Sequence, residues 1–289
     1  MLDIAADPIL RSVLDAAPLA VVASTPLLLA VEGELVVQRG GMINLGIEGM
    51  MLTAAMTAVL AAQVTKSLML GFAGGIAGAA IVALLFGLFA IVLRADQIVT
   101  GTAINLFALG LTSFVYRELQ GGAIFVQSVP QLRTDPIVPL AWIAIPVVLA
   151  VLLWNTSFGL RLRAAGENPD AVAASVASLR WTALAIEALL AGLAGAHLSL
   201  AQSSGFAENM TSGRGFIALS IVIFGRWKLK GALIGTAIFG LAAALQFALQ
   251  AASIGVPYHL LLAIPYVVTL LILCGVAGRV RAPEALGRQ

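Results

Sequence analysis

Formal charge is scarce in this chain. Asp, Glu, Lys and Arg make up 10% of its 289 residues, against roughly 25% in soluble domains. Hydrophobic residues reach 61%. The two figures exclude a soluble globular protein and identify an integral membrane protein. The net charge of +2 is too small to argue for nucleic acid, and the basic residues sit at loop edges rather than in one patch. One cysteine, Cys274, lies within an apolar run, which excludes a disulfide framework and a Cys-based metal centre and leaves a small buried apolar residue. The phosphate loop Gly-x-x-x-x-Gly-Lys-Ser/Thr is missing, so the chain does not itself hydrolyse ATP. His-Glu-x-x-His, paired cysteines and Gly-x-Ser-x-Gly are missing too. Nothing argues for an enzyme, a cofactor or a metal ion. Asp3 and Asp7 stand where a signal peptide needs positive charge, so no cleaved leader is expected.

What remains is a series of apolar runs, each near the roughly 20 residues that cross a bilayer as a helix. The expected fold is all-α: one polytopic transmembrane domain over residues 1–289 with about eight to ten spans. Residues 1–17 read as an amphipathic surface helix. Spans are expected at 18–31, 47–64, 67–93, 98–116, 137–158 and 181–201, and two more in 231–278, divided at 253–259. Residues 216–225 are too short to cross unaided. Lys and Arg concentrate in 159–180, in 226–230 and in the tail (Arg279, Arg281, Arg288), so these three are placed in the cytoplasm. Loops 117–136 and 202–215 then face outward, and Arg94 faces inward.

Two polar stretches interrupt the hydrocarbon. In the first, Glu32, Glu34, Arg39 and Glu48 interleave with glycines. It reads as a re-entrant or broken helix near 33–48, or as an interfacial loop with solvated charges, and Arg39 and Glu48 are candidates to pair. The second carries Arg161, Arg163, Glu167, Asp170 and Arg180. Asn168 is a candidate N-cap, Pro169 suits the first helical position, and Asp170 suits the positive end of the dipole. A short helix of Ala, Ser and Val is expected over 171–179, with no large side chains for a core of its own. It is either a docking surface or an ordinary positive cytoplasmic loop.

Isolated polar groups lie within or at the ends of spans. Glu187 and His197 are ten residues apart, so roughly 80° separates them on one helix, which argues against a relay between the two. Asn105, Gln202, Gln246 and Gln250 are suited to sugar hydroxyls, a base edge or interhelical hydrogen bonds. The triplets 43–45 and 104–106, both Ile-Asn-Leu, faintly suggest an internal duplication.

Four stretches, in order, resemble one family. They are Gly41-Met-Ile-Asn-Leu-Gly-Ile-Glu-Gly-Met-Met-Leu52, Ala95-Asp-Gln-Ile-Val-Thr-Gly-Thr-Ala-Ile-Asn-Leu106, Leu160-Arg-Leu-Arg-Ala-Ala-Gly-Glu-Asn-Pro-Asp-Ala171 and Gly213-Arg-Gly-Phe-Ile-Ala-Leu-Ser-Ile-Val-Ile-Phe-Gly-Arg-Trp227. The family is that of ABC-importer permeases for nucleosides and simple sugars, related to branched-chain amino-acid permeases. The likeness runs from about residue 26 to 278. It implies that Arg161, Arg163, Gly166, Glu167, Asn168, Pro169 and Asp170 belong to a cytoplasmic coupling helix seated in a separate ATP-binding subunit. It further implies a second, homologous permease in a heterodimer, of which this chain resembles the shorter, and an extracytoplasmic substrate-binding protein. The resemblance implies a multi-pass protein of a bacterial inner membrane, in contact with lipid and not with nucleic acid. The expected translocation pathway is Asn44, Glu48, Asn105 and Gln202. Ala165 stands where the family often has valine, and Glu187 is an acid where a small polar residue is expected. Nucleosides are the expected cargo. Simple sugars, riboflavin-like compounds, branched-chain amino acids, or an ion-coupled secondary transporter using Glu187 and His197 remain as alternatives.

Overall fold

The computed structural model describes residues 8–120, 135–203, 205–251, 267 and 282–287. Everything regular in these residues is helical, and seven helices are long and apolar enough to cross a membrane. Helix α1 (Pro8–Arg39) runs without a break from the N-terminal residues into its span. Helices α2 (Ile47–Thr65) and α3 (Leu68–Gly87) form a hairpin, and α3 ends in a π-turn over Leu88–Val92. Helix α4 (Gln97–Gln120) follows. The next crossing is composite: α5 (Ile137–Pro139), a π-turn at Leu140–Ala144, and α6 (Ile145–Asn155). Helix α7 (Ser157–Glu167) and a 3-10 segment (Pro169–Ser175) lead into the long α8 (Val176–His197). Then come the short α9 (Arg214–Phe224) and α10 (Leu229–Ala251). The expected division at 253–259, the last span, Cys274 and the tail arginines lie outside the described residues, as does most of the 117–136 loop.

Helix α1 is the axis of the bundle. Leu27 to Val31 and Leu35 to Val37 are buried, although nothing in their order sets them apart from the other apolar runs. In a bilayer, lipid solvates such side chains about as well as protein does, so close packing rather than hydrophobic transfer selects the contacts. Small residues supply that closeness. A β-carbon on Gly195 would stand 2.2 Å from the Met51 carbonyl of α2, and one on Gly192 would stand 2.6 Å from the Ile76 backbone of α3. Helices α2, α3 and α8 therefore touch backbone to backbone, while α4 and the 137–155 crossing keep most of their surface outward.

Three details differ from the sequence expectation. The break expected near 33–48 is confined to the turn at residues 40–46, with Glu32 and Glu34 inside α1 and fully buried. Residues Ser157–Glu167 form a helix of their own that the periodicity did not reveal. The helix expected at 171–179 is split into the 3-10 segment and the first turn of α8. Asn168 has the extended backbone of a cap (φ −146°) but its side chain makes no capping bond, and Val172 departs from helical geometry within the segment (φ −133°).

Contacts at the helix ends sort the loops into two sides. Gly41 and Gly166 are held together with the tail, where Ala285 N–H donates to Gly166 O (2.9 Å) and Gly287 N–H to Gly41 O (3.0 Å). Arg39 Nε donates to the Trp227 carbonyl at 2.7 Å. Arg94, Pro169 and Asp170 line one cavity. On the far side, Arg117 makes a two-point pair with Glu208 (3.0 Å each). This exposed pair holds the Glu208 carboxyl below its ordinary value.

Candidate functional site

The turn at residues 40–46 is where the bundle gathers its polar groups. Gly41 has φ +83°, a left-handed conformation that glycine adopts without strain, and it reverses the chain after Arg39. The next residues bring Asn44 under α1 and α8. Asn44 Oδ1 accepts from Gly46 N–H (2.9 Å) and closes the turn on itself, while Asn44 Nδ2 donates to Glu187 Oε2 at 2.7 Å. Glu34 Oε1 accepts from Gln38 Nε2 (2.7 Å) and from the Asn44 amide (3.4 Å). Gln38 Oε1 accepts from Trp227 Nε1 at 2.6 Å. Glu34, Asn44 and Glu187 have no exposed surface. One polar chain thus joins α1, the 40–46 turn, α8 and the 226–227 turn.

A second polar layer lies beside it. Helix α9 has 11 residues, about 16 Å of rise, or half a bilayer core. Its N-terminus therefore opens inside the bundle, and its free amides need an acceptor. Glu48 supplies it: Oε1 accepts from Gly213 N–H at 2.8 Å and Oε2 from Gly215 N–H at 2.6 Å. The carboxylate also meets the positive end of the helix dipole. Gly215 permits the approach, since a β-carbon there would lie 2.6 Å from Glu48 N. Asn105 of α4 completes the layer by accepting from Gly49 N–H (2.8 Å) and donating to Leu45 O (2.6 Å). The two Ile-Asn-Leu triplets meet through this contact.

Next to this layer a cavity of about 280 Å³ is lined by Glu48, Thr102, Asn105, Asn209, Gly213 and Phe216, among others. Its polar groups are few and its walls apolar, the usual make-up of a site for a small organic molecule.

The expected pathway residues are thus partly brought together. Asn44, Glu48 and Asn105 cluster, whereas Gln202 stands apart and donates to the Val22 carbonyl in the N-terminal part of α1 (2.7 Å). Arg39 and Glu48 do not pair, since each is engaged elsewhere. His197 is also separate from Glu187: its Nε2 lies 2.6 Å from Asp135 Oδ2 at the start of the 137–155 crossing. Gln246 is buried, and the side chain of Gln250 lies outside the described residues. The sequence reading missed the partners of Glu34 and Glu187. The one signal for them was the unexpected acid at position 187. Glu32, fully buried, has no hydrogen-bond partner for either carboxyl oxygen among the described residues.

The residues expected to form the coupling helix lie on the side shared by the 40–41 turn and residues 282–287. Arg161, Glu167, Asn168 and Asp170 are exposed, Arg163 and Pro169 half-buried, and Gly166 buried. A β-carbon on Gly166 would stand 2.3 Å from the Arg39 carbonyl, so the end of α7 rests on the end of α1. Beyond it, Ala171, Ala173, Ala174, Ala177 and Ser178 present small side chains outward. A cavity of about 260 Å³ beside them is lined by Arg94, Asp170, Val176 and Arg180, among others.

Known proteins can be compared with this geometry. The family described as "Branched-chain amino acid transport system / permease component" matches residues 16–274. The guanosine ABC transporter permease protein NupQ of Bacillus subtilis is 33% identical, over 93% of this chain and 94% of its own. The nucleoside ABC transporter permease protein NupC of Lactococcus lactis subsp. cremoris is 34% identical, over 91% and 92%. A putative glucose ABC transporter permease protein of Haloferax volcanii is 36% identical, over 80% and 77%. No solved structure matches the chain. The helix order, the motifs at both polar layers and these relatives lead to one assignment: the chain belongs to the branched-chain amino acid transport system permease family, and is a multi-pass ABC-importer permease.

Proposed function

We propose that this chain is the membrane subunit of an ABC importer for nucleosides, with ATP hydrolysed by a separate ATP-binding subunit. The observation that carries the cargo assignment is the pair of relatives named for guanosine and for nucleosides, both alike over more than nine tenths of the chain. A second reading, a sugar permease, is favoured by the glucose-named relative at 36% identity. The importer also contains a second, homologous permease as a heterodimer partner and receives cargo from an extracytoplasmic binding protein.

The segment Pro169–Ser175 docks in the ATP-binding subunit, with Arg161, Arg163, Glu167, Asn168 and Asp170 around it. It leads directly into α8, which carries Glu187 to the Asn44 turn. Displacement of the docked segment along α8 shifts that turn and, through Gly46 and Gly49, the Glu48–Asn105 layer. The pathway comprises Asn44, Glu48, Asn105 and, nearer the far side, Gln202. The chain makes no covalent chemistry. The coupling surface and the tail face the cytoplasm of a bacterial inner membrane, a placement supported by Arg39, Arg94, Arg161, Arg163, Arg226, Lys228 and Lys230 gathering on one side.

The test is uptake into proteoliposomes holding this chain, its companion permease and ATP-binding subunit, with the binding protein outside. Radiolabelled guanosine and cytidine are expected to accumulate only when ATP is enclosed, and excess glucose is not expected to compete. Competition by glucose but not by nucleosides overturns the cargo. Accumulation without the ATP-binding subunit overturns the importer.

A further inference from the structure

The end of α1, the C-terminal end of α6 and the start of α10 meet around a cavity of about 360 Å³ to which the import reading assigns no role. Arg39, Ala150, Trp154, Lys228, Leu229 and Lys230 line it. Three cations thus converge on one small space, within the size range of small-ligand sites. None of these residues lines the cavity beside Pro169–Ser175 or the one at Glu48 and Asn105.

The cations are carried on a fixed frame. Arg39 Nε donates to the Trp227 carbonyl at 2.7 Å, and Trp227 Nε1 donates to Gln38 Oε1 at 2.6 Å. These two bonds tie the 226–227 turn to α1. Both residues of that turn are left-handed, at φ +56° and +53°, which non-glycine residues adopt where their surroundings impose it. Lys228 follows at once, and its amide donates to the Gly225 carbonyl (3.0 Å). The Lys228 and Lys230 side chains are exposed and Arg39 is half-buried. Glu167 and Arg163 are the electrostatic neighbours of Arg39, one charge of each sign, so the cavity keeps its positive character.

The rest of the wall is apolar and continues into the membrane. Trp154 is 40% exposed, and an indole with one apolar and one polar edge suits the membrane–water boundary. Val151 and Val148 follow it on the same face of α6, and Ile234 and Ile238 follow Lys230 on one face of α10. All four are exposed. Each helix therefore presents polar or cationic chemistry at the cavity and a hydrocarbon-compatible stripe leading away from it. A free anion would use the cations and leave the stripes unused, whereas a phosphate that carries acyl chains uses both.

We propose that this cavity binds the phosphate headgroup of an anionic phospholipid. Lys228, Lys230 and the Nη groups of Arg39 hold the phosphate, Trp154 covers the glycerol, and the acyl chains lie along the α6 and α10 stripes. Basic pockets between spans are suited to such headgroups. The lipid clamps α6 and α10 to the end of α1, the helix that leads through Gly41 into the Asn44 turn. The proposal needs only a chain that spans a membrane, not the nucleoside cargo.

The full chain purified in neutral detergent is titrated with phosphatidylglycerol or phosphatidylcholine, and bound lipid is counted by native mass spectrometry. One phosphatidylglycerol is expected to bind at least tenfold more tightly than phosphatidylcholine, since each basic residue near an anionic headgroup contributes roughly fivefold. Lys228→Gln/Lys230→Gln is expected to lose that preference. Arg94→Gln/Arg226→Gln, which removes as much charge without touching the cavity, is expected to keep it. Brominated phosphatidylglycerol is expected to quench a part of the tryptophan fluorescence that Trp154→Phe lacks. If the lysine variant does not fold, the two-lipid comparison in wild type and the Trp154 quenching decide. Equal binding of both lipids overturns the proposal, as does equal loss of preference in the two double variants. Displacement by inorganic phosphate, where sodium chloride of equal ionic strength has no effect, overturns it in favour of a free-anion site. Displacement by the ATP-binding subunit overturns it in favour of a protein interface. Selective lipid binding without uptake of any nucleoside would support this site and remove the cargo assignment.

Discussion

Glu48 closes the N-terminus of α9 from across the bundle: its two carboxylate oxygens take the Gly213 and Gly215 amides at 2.8 and 2.6 Å. A residue 165 positions away in sequence does what a local Ser or Asp does at most helix starts. Glu48→Gln keeps the size but removes the charge and replaces one acceptor with a donor facing an amide. Stability is expected to fall by about 2 kcal/mol, the scale of a lost charge-assisted bond plus its dipole contribution. Thermal melting in detergent measures it, and Glu48→Asp, one methylene short, is expected to recover only part.

Glycines in this bundle are expected to divide sharply on substitution. Gly195→Ala drives a methyl to 2.2 Å from the Met51 carbonyl, and neither backbone can yield cheaply. A loss of about 3 kcal/mol or failure to fold is expected, within the range for overpacked sites. Gly110→Ala, which meets nothing within 4 Å, is expected to be neutral or to add up to about 1 kcal/mol through helix propensity. Comparing folded yield and melting of the two variants checks this. Equal effects would show that the α2–α8 contact is looser than drawn.

The coupling surface is expected to fail without unfolding. Glu167 and Asp170 are exposed, so Glu167→Ala/Asp170→Ala is expected to leave melting unchanged. The same variant is expected to weaken association with the ATP-binding subunit and to lower uptake about tenfold, or about 1.4 kcal/mol of interface energy. Co-purification and proteoliposome uptake are the measurements. Unchanged uptake would move docking away from Pro169–Ser175.

His197 and Arg117 offer a contrast in burial. His197→Ala removes the partner of Asp135 and opens a gap in a side chain with no exposed surface, so a loss of about 2–4 kcal/mol is expected. Arg117→Ala breaks the exposed pair with Glu208. Its melting is expected to stay within the scatter of wild type, as screening and side-chain entropy cancel most of such a contact.

Much of this protein was legible from composition and spacing alone. Hydrophobic runs of span length require helices in lipid, because every backbone amide must be bonded within its own segment. The spans at 47–64, 67–93 and 98–116 accordingly lie within a few residues of α2, α3 with its π-turn, and α4. Two of the basic stretches, 159–167 and 226–230, both meet the end of α1, through Gly166 and through Arg39 on the Trp227 carbonyl. Half-length α9 was visible as a run too short to cross.

Contacts between segments far apart in sequence were not legible. Glu48 looked ready to pair with Arg39, nine residues away, and only the packing of α9 turned it toward Gly213 and Gly215. Glu34 and Glu187 are separated by the whole first half of the bundle, and nothing in the order of residues aims one at the other. Ser157–Glu167 read as a loop because its charges hid a helix that rests on α1 through Gly166. Periodicity along one segment records which face is apolar. Which partner meets that face in a membrane is decided by backbone shape, where a missing β-carbon at Gly33, Gly166 or Gly195 lets one helix come close and excludes the others.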